Sequence, residues 1–234
     1  MFKEIKFIAF DLDGTLLDSV PDLAWAADKA VREVGFSGVT EAQVRDYVGN
    51  GADILIGRAL SQNIIVDSQL SPALLHSARE HFDHFYAQSE HRRSHLYPNV
   101  FQTLTRLAQA EYQMAVVTNK PSHFVPEILQ QHQLTPFFTD VLGGDAFSER
   151  KPSPVALNWL MEKHQLQPSQ LLMVGDSKSD ILAARNARCA AFGLTYGYNH
   201  GEPIANASPD VVADDIADLL TVLALGETEN STFL

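Results

Sequence analysis

The sequence predicts an α/β protein, a doubly wound parallel sheet with an all-helical module inserted after the first strand. Three observations predict it: short apolar runs without polar alternation recur along the chain, helical periodicities lie between them, and one long stretch near the N-terminus carries helical periodicity alone. An unalternated apolar run suits a strand buried on both faces, as in parallel sheets. Strand and helix in turn suit right-handed crossovers and a Rossmann-like core.

The runs that read as strands are Lys6 to Phe10, Met114 to Val117, Leu171 to Val174 and Ala190 to Leu194, with weaker signals at Val141-Leu142 and Val211-Val212. Helical patterns separate them, such as Val100, Leu104 and Leu107, then Phe124, Ile128 and Leu129, then Leu157, Leu160 and Met161, then Ile181, Leu182 and Arg185. From about Ser19 to Arg93 only helical spacing is evident, as in Leu23, Ala27, Ala30 and Val34, then Leu74, Ala78, Phe82 and Phe85. The expected division is therefore a core of residues 1–18 and 94–234 with a helical insertion over 19–93. Pro98 marks the return to the core, because the residue before a proline is pushed out of helix. The closing GETENSTFL is polar and expected to fray.

Of the 234 residues, 45% are hydrophobic, and 29 acidic side chains against 17 basic ones give a formal net charge of −12. This apolar content can bury a core and excludes a disordered chain. No Lys or Arg follows Arg188, whereas Glu202, Asp210, Asp214, Asp215, Asp218, Glu227 and Glu229 do. Nucleic acid and anionic lipid attract proteins through Lys and Arg, so neither is an expected partner. Cys189 is the single cysteine, which excludes an intramolecular disulfide and a thiolate metal cluster. The opening MFKEIKFIAF is neither a signal peptide nor long enough to span a bilayer. A cytoplasmic protein, monomeric or homodimeric, is expected.

Ligands of open α/β sheets bind beyond the carboxyl ends of the strands, so the residues leaving each strand carry the information. Here these are DLDGT with Asp11, Asp13, Gly14 and Thr15, then Thr118-Asn119-Lys120, then GDSKSD with Asp176 and Asp180. Lys151 lies between the last two, ahead of Pro152, where a helix is expected to start. Crowded carboxylates must be neutralised by a cation or protonated. All-oxygen ligands suit a hard divalent ion, most simply Mg²⁺. Thr118, Asn119 and Lys151 suit the oxygens of a phosphoryl group, and a carboxylate that attacks with another that moves protons completes a phosphotransfer site.

With DLDGT, VVTNK, Lys151-Pro152 and GDSKSD in this order, the chain resembles the haloacid-dehalogenase superfamily of aspartate-dependent phosphohydrolases over nearly its whole length. The resemblance implies Asp11 as the nucleophile and Asp13 as the acid and then the base. It implies Mg²⁺ held by the Asp11 carboxylate, the Asp13 backbone carbonyl and Asp176, with Asp180 in support. It further implies Thr118 and Asn119 on the phosphoryl oxygens and Lys151 orienting Asp11. Asp18 and Asp22 read instead as helix-start residues.

The insertion resembles the cap of this superfamily, which closes over the site and carries much of the substrate choice. Within it, Gly49, Asn50 and Gly51 form a turn at the start of a helix, whose amides could meet a substrate carboxylate. Arg58 either pairs with an anion or sits on a solvated face. Further segments, VGNGAD, VVTNKP, GGD and GLTYGYNHGEPI followed by PDVV, are similar to bacterial phosphoglycolate phosphatases. That likeness implies hydrolysis of 2-phosphoglycolate to glycolate and phosphate. Sugar phosphates and N-acetylmuramate 6-phosphate are the alternative substrates; a phosphomutase, a dehalogenase and a non-enzymatic phospho-receiver are further alternatives. The five histidines from His76 to His95 read as water-facing rather than metal-binding, and Tyr196 and Tyr198 as packing a loop near the site.

Overall fold

The computed structural model describes residues 2–225; the 226–234 tail, expected to fray, lies outside the described residues. Its main sheet has six parallel strands: β1 (Phe7–Phe10), β4 (Gln113–Val117), β5 (Asp140–Leu142), β6 (Leu171–Gly175), β7 (Ala190–Leu194) and β8 (Val211–Ala213). Their order is β5-β4-β1-β6-β7-β8. All six runs read as strands from the sequence are present, the two weak signals as the edge strands. In addition, β2 (Leu17–Asp18) and β3 (His95–Leu96) form a small antiparallel pair, with Leu17 opposite Leu96.

Side chains alternate across a strand, and the strands sort accordingly. Ile8, Phe10, Met114, Val116, Leu172, Val174, Phe192 and Leu194 face one layer, made by α5 (Val100–Gln109), α6 (Val125–Gln131) and α9 (Asp218–Val222). Phe7, Ala9, Ala115, Val117, Leu171 and Met173 face the other, made by α7 (Val155–Lys163) and α8 (Lys178–Ala187). Both faces are dry, which is why the strands carry no polar alternation.

Between β2 and β3 lie α1 (Val20–Glu33), α2 (Glu41–Tyr47), α3 (Ala52–Ser61) and α4 (Pro72–Gln88). Thr40 caps α2 in a reciprocal box with Gln43, and Ser71 caps α4 with Pro72 in its first turn. Helices α1 and α4 pack lengthwise, burying Leu23, Ala27, Ala30, Ala78 and Phe82 at helical spacing. One expectation is corrected. The helix after Lys151 begins at Val155, not at Pro152, with Pro154 in the capping position.

Candidate active site

The sheet order reverses at β1: the chain moves outward through β4 and β5 and then crosses to β6 on the other side. Asp11, Thr118 and Asp176 leave the carboxyl ends of these three neighbouring strands, where such a reversal opens a crevice. Lys151 enters from the β5–α7 connection, and its ammonium lies 2.9 Å from Asp11 Oδ1, 2.6 Å from Asp180 Oδ1 and 2.7 Å from the Val117 carbonyl. Three acceptors thus match its three N–H donors.

Asp180 is fully buried in the first turn of α8. Its Oδ2 accepts from Ser177 N at 3.0 Å and Ser177 Oγ at 2.7 Å, while Oδ1 faces Lys151. It therefore caps its own helix and fixes the lysine that orients Asp11. Asp176 is held through Oδ1 by Thr15 Oγ1 and through Oδ2 by Tyr198 N, both at 2.6 Å. The backbone closes tightly here. A Cβ on Gly14, at φ +88°, or on Gly197 would fall 2.2 Å from Asp176 Oδ2, so only glycine fits at either position.

Carboxylate oxygens of Asp11, Asp176 and Asp180 lie within 4.8 Å of one another, the geometry that could hold a metal ion. Asp13 stands outside this group, its two oxygens accepting from Lys120 Nζ at 3.0 and 3.1 Å. Burial, opposed by Lys151 and reinforced by Asp180 and Asp13, pushes Asp11 up to about 7. Burial together with Asp180 and Asp11 raises Asp176 well above the usual carboxylate range. Four carboxylates, those of Asp11, Asp13, Asp176 and Asp180, face two ammonium groups, those of Lys120 and Lys151. The excess of two negative charges in an all-oxygen site fits a hard divalent cation.

A cavity of about 40 Å³ lies over Asp11 and Asp13. The core contributes Thr118, Asn119, Lys120 and Phe124 to its lining, and the helical insertion contributes Leu23, Val48, Gly49, Gly51, Ala52, Leu55, Phe82 and Tyr86. Asn119 Nδ2 bridges the two sides, donating to the carbonyls of Lys151 and Gly49, each at 3.1 Å.

A family model described as haloacid dehalogenase-like hydrolase matches residues 8–194. The chain belongs to this family. This hydrolase is 69% identical over 221 residues to a phosphoglycolate phosphatase of Vibrio vulnificus, a match covering 94% of this chain and 97% of that one. It is 66% identical over 221 residues to a phosphoglycolate phosphatase of Vibrio cholerae, covering 94% and 98%. The crystal structure of a predicted phosphoglycolate phosphatase from Haemophilus somnus shares its fold with a TM-score of 0.89 at 41% identity, covering 95% of this chain and 99% of that one.

Of the residues expected in the cap of this hydrolase, Gly49 and Gly51 line the cavity. Asn50 instead turns its carbonyl to Arg150, which donates to it at 3.2 Å. The two readings of Arg58 give way to a third: it donates to the carbonyls of Ile64 at 2.8 Å and Tyr47 at 2.7 Å, tying two cap segments together. Among the described residues the histidines form no metal-binding group. His76 pairs with Glu80 and His84 with Gln88 on exposed helix faces, while His91 is buried against the Tyr86 ring.

Tyr196 donates to the Thr15 carbonyl at 2.8 Å and Tyr198 to Asp18, so the closing loop is strapped onto the first motif. Asp18 also accepts from Val20 N at 3.3 Å, as a helix-start residue does, and from Arg45. Asp22 lies in the first turn of α1, as a helix-start residue does, and has tertiary partners besides. It is fully buried and accepts from Ser94 N, Ser94 Oγ and Arg93 N at 2.7, 2.6 and 3.0 Å, pinning the returning chain to α1.

Sequence reasoning gave no role to Lys120, Tyr86 or Arg150. The only signal for Lys120 was its position directly after Thr118-Asn119; nothing in the spacing marked its pairing with Asp13.

Proposed function

We propose that this hydrolase is a Mg²⁺-dependent phosphomonoesterase that converts 2-phosphoglycolate to glycolate and phosphate. The observation that carries the substrate is the 69% identity over 94% of the chain to a relative named for that reaction. The small cavity is in keeping with it, since an ester with one methylene between phosphate and carboxylate is compact.

In this reading Asp11 attacks phosphorus through its outer oxygen, with Lys151 holding the other. The P–O bond to the leaving alcohol breaks as the Asp11–P bond forms, and Asp13 delivers the proton to the departing oxygen. The same Asp13 then takes a proton from water as that water attacks the aspartyl-phosphate, freeing phosphate and restoring the Asp11 carboxylate. Thr118 Oγ1 and the backbone N–H of Asn119 donate to the phosphoryl oxygens, the Asn119 side-chain amide being engaged by the Gly49 and Lys151 carbonyls. Asp11, the Asp13 carbonyl and Asp176 would hold Mg²⁺, supported by Asp180, and the ion would supply neutralising charge to the crowded carboxylates and the phosphoryl group. Residues 19–93 act as a cap that shields the site from bulk water, with the Gly49-Asn50-Gly51 turn resting on Asn119 and Arg150. The partner is the small ester alone, in the cytoplasm, and the protein is a monomer or homodimer. No helix among the described residues is long and apolar enough to cross a membrane.

The test is phosphate release from a panel of phosphoglycolate, hexose phosphates and N-acetylmuramate 6-phosphate, with and without Mg²⁺. The expected result is the highest kcat/KM on phosphoglycolate, dependence on added metal and loss of turnover in Asp11→Asn. A higher kcat/KM on a sugar phosphate overturns the substrate, and undiminished turnover by Asp11→Asn overturns the nucleophile.

A further inference from the structure

We propose that Tyr86 and Lys120 form the subsite that recognises the substrate's carboxylate, Tyr86 Oη donating a hydrogen bond from the insertion and Lys120 Nζ supplying the charge from the core. The inference rests on the phosphoglycolate reading and says which side chains distinguish that ester from an uncharged one.

Three observations lead to this pair. Both residues line the cavity over Asp11 and Asp13. Both are buried, Tyr86 at 1% and Lys120 at 5% exposure, and the Tyr86 hydroxyl proton has no acceptor among the described residues. A buried hydroxyl proton without an acceptor costs free energy that a ligand acceptor would recover. The two groups also adjoin, the ammonium lying over the Tyr86 ring at 4.7 Å from its centroid.

The chemistry of the ester selects Lys120 over Lys151. Lys151 has each of its three N–H donors matched by Asp11, Asp180 and the Val117 carbonyl. Lys120 Nζ pairs with one carboxylate, that of Asp13, and its remaining donor lies on the side of the Tyr86 hydroxyl and the cavity. Asp13 must touch the bridging oxygen to protonate it, and one methylene separates that oxygen from the substrate carboxylate. The carboxylate therefore comes to rest beside Asp13, and the cation already beside Asp13 is Lys120.

The tyrosine is held ready for this contact. Its ring stacks on Phe82 at 5.5 Å between centroids and meets Phe124 edge-on at 4.9 Å and His91 at 4.8 Å. Burial pushes its hydroxyl up to about 12, so it stays a neutral donor across the working pH range. Because Tyr86 belongs to α4 and Lys120 to the loop after β4, an ester with a carboxylate bridges the insertion and the core, whereas one without it does not.

The test compares kcat/KM for phosphoglycolate and for ethyl phosphate, which has a methyl group where the carboxylate stands, in the wild type, Tyr86→Phe and Lys120→Met. The readout is the ratio of the two values, so that any general loss of activity cancels, and thermal unfolding checks that each variant folds. We expect the phosphoglycolate preference to fall about tenfold in Tyr86→Phe and about a hundredfold in Lys120→Met, the Tyr86→Phe loss falling on KM. A preference retained in full by both folded variants overturns the subsite alone. A wild type that shows no preference for phosphoglycolate overturns the substrate reading and the subsite with it. Should Lys120→Met fail to fold, the Tyr86→Phe ratio decides.

Discussion

Lys151 Nζ and Asp180 Oδ1 stand 2.6 Å apart with both side chains cut off from solvent, and this buried pair sets the position of Asp11 one contact further on. Removing one member of a buried ion pair leaves the other uncompensated. Asp180→Asn keeps the shape and the Ser177 contacts but withdraws a counter-charge from Lys151. We expect unfolding free energy in urea to fall by about 3 kcal/mol and kcat to fall about a hundredfold through misplacement of Asp11. Unchanged kcat would mean that Asp11 is positioned without this pair.

The raised carboxylates predict how the metal-free protein responds to pH. Asp11, pushed up to about 7 by burial, binds more protons when folded than when unfolded between its ordinary value of 3.8 and about 7. Unfolding stability therefore falls as pH rises through that window. A bound divalent cation favours the ionised form and reverses the penalty. The melting temperature of chelator-treated protein is expected to drop between about pH 5 and about pH 7.5, excess Mg²⁺ to restore it mainly at the upper end, and Asp11→Asn to flatten the slope.

What the sequence made legible follows from which forces act locally. Strands such as Leu171–Gly175, covered on both faces, must be continuously apolar and so announce themselves, as do the acidic and lysine side chains that leave their ends. The pair of Leu17–Asp18 with His95–Leu96 is two residues long on each side and carries no periodicity to detect. The partners of Arg58, and those Asp22 has beyond its place in the first turn of α1, were not legible because the carbonyls of Ile64 and Tyr47, and the amides of Arg93 and Ser94, reach them only through tertiary packing. Lys120 was hidden for the same reason. Its partner Asp13 lies on a different strand end, and a lone lysine after a strand has a solvated side chain as its default.

Gly197 tests how tightly the carboxylate group around Asp176 is built. A Cβ there would lie 2.2 Å from Asp176 Oδ2 and 2.3 Å from the Gly14 carbonyl, so the carboxylate or the loop must move. Groups that orient a metal ligand typically govern affinity by about 10- to 100-fold. Gly197→Ala is expected to raise the Mg²⁺ concentration for half-maximal activity by a factor in that range, read from a metal titration of turnover, with excess metal recovering part of the rate. An unaltered titration would mean that Asp176 does not need its present position.

Asp22 offers the clearest separation of stability from chemistry. Its carboxylate sits within α1, yet its hydrogen bonds run to Ser94 and Arg93, where the chain re-enters the core, and it lines neither the carboxylate group nor the cavity. Asp22→Ala strands two backbone amides and a hydroxyl in a buried setting, a loss of about 2–4 kcal/mol. Ser94→Ala removes one of the four hydrogen bonds to Asp22 and is expected to cost about 1 kcal/mol. If the contact also fixes how the insertion sits over Asp11, the folded Asp22→Ala protein will have a raised KM with kcat less affected, because the cavity walls from Phe82 and Tyr86 are displaced while Lys151, Asp180 and Asp11 are not. Urea unfolding and steady-state kinetics on the same preparations check both parts, and an unfolding curve identical to the wild type would show that the returning chain is held elsewhere.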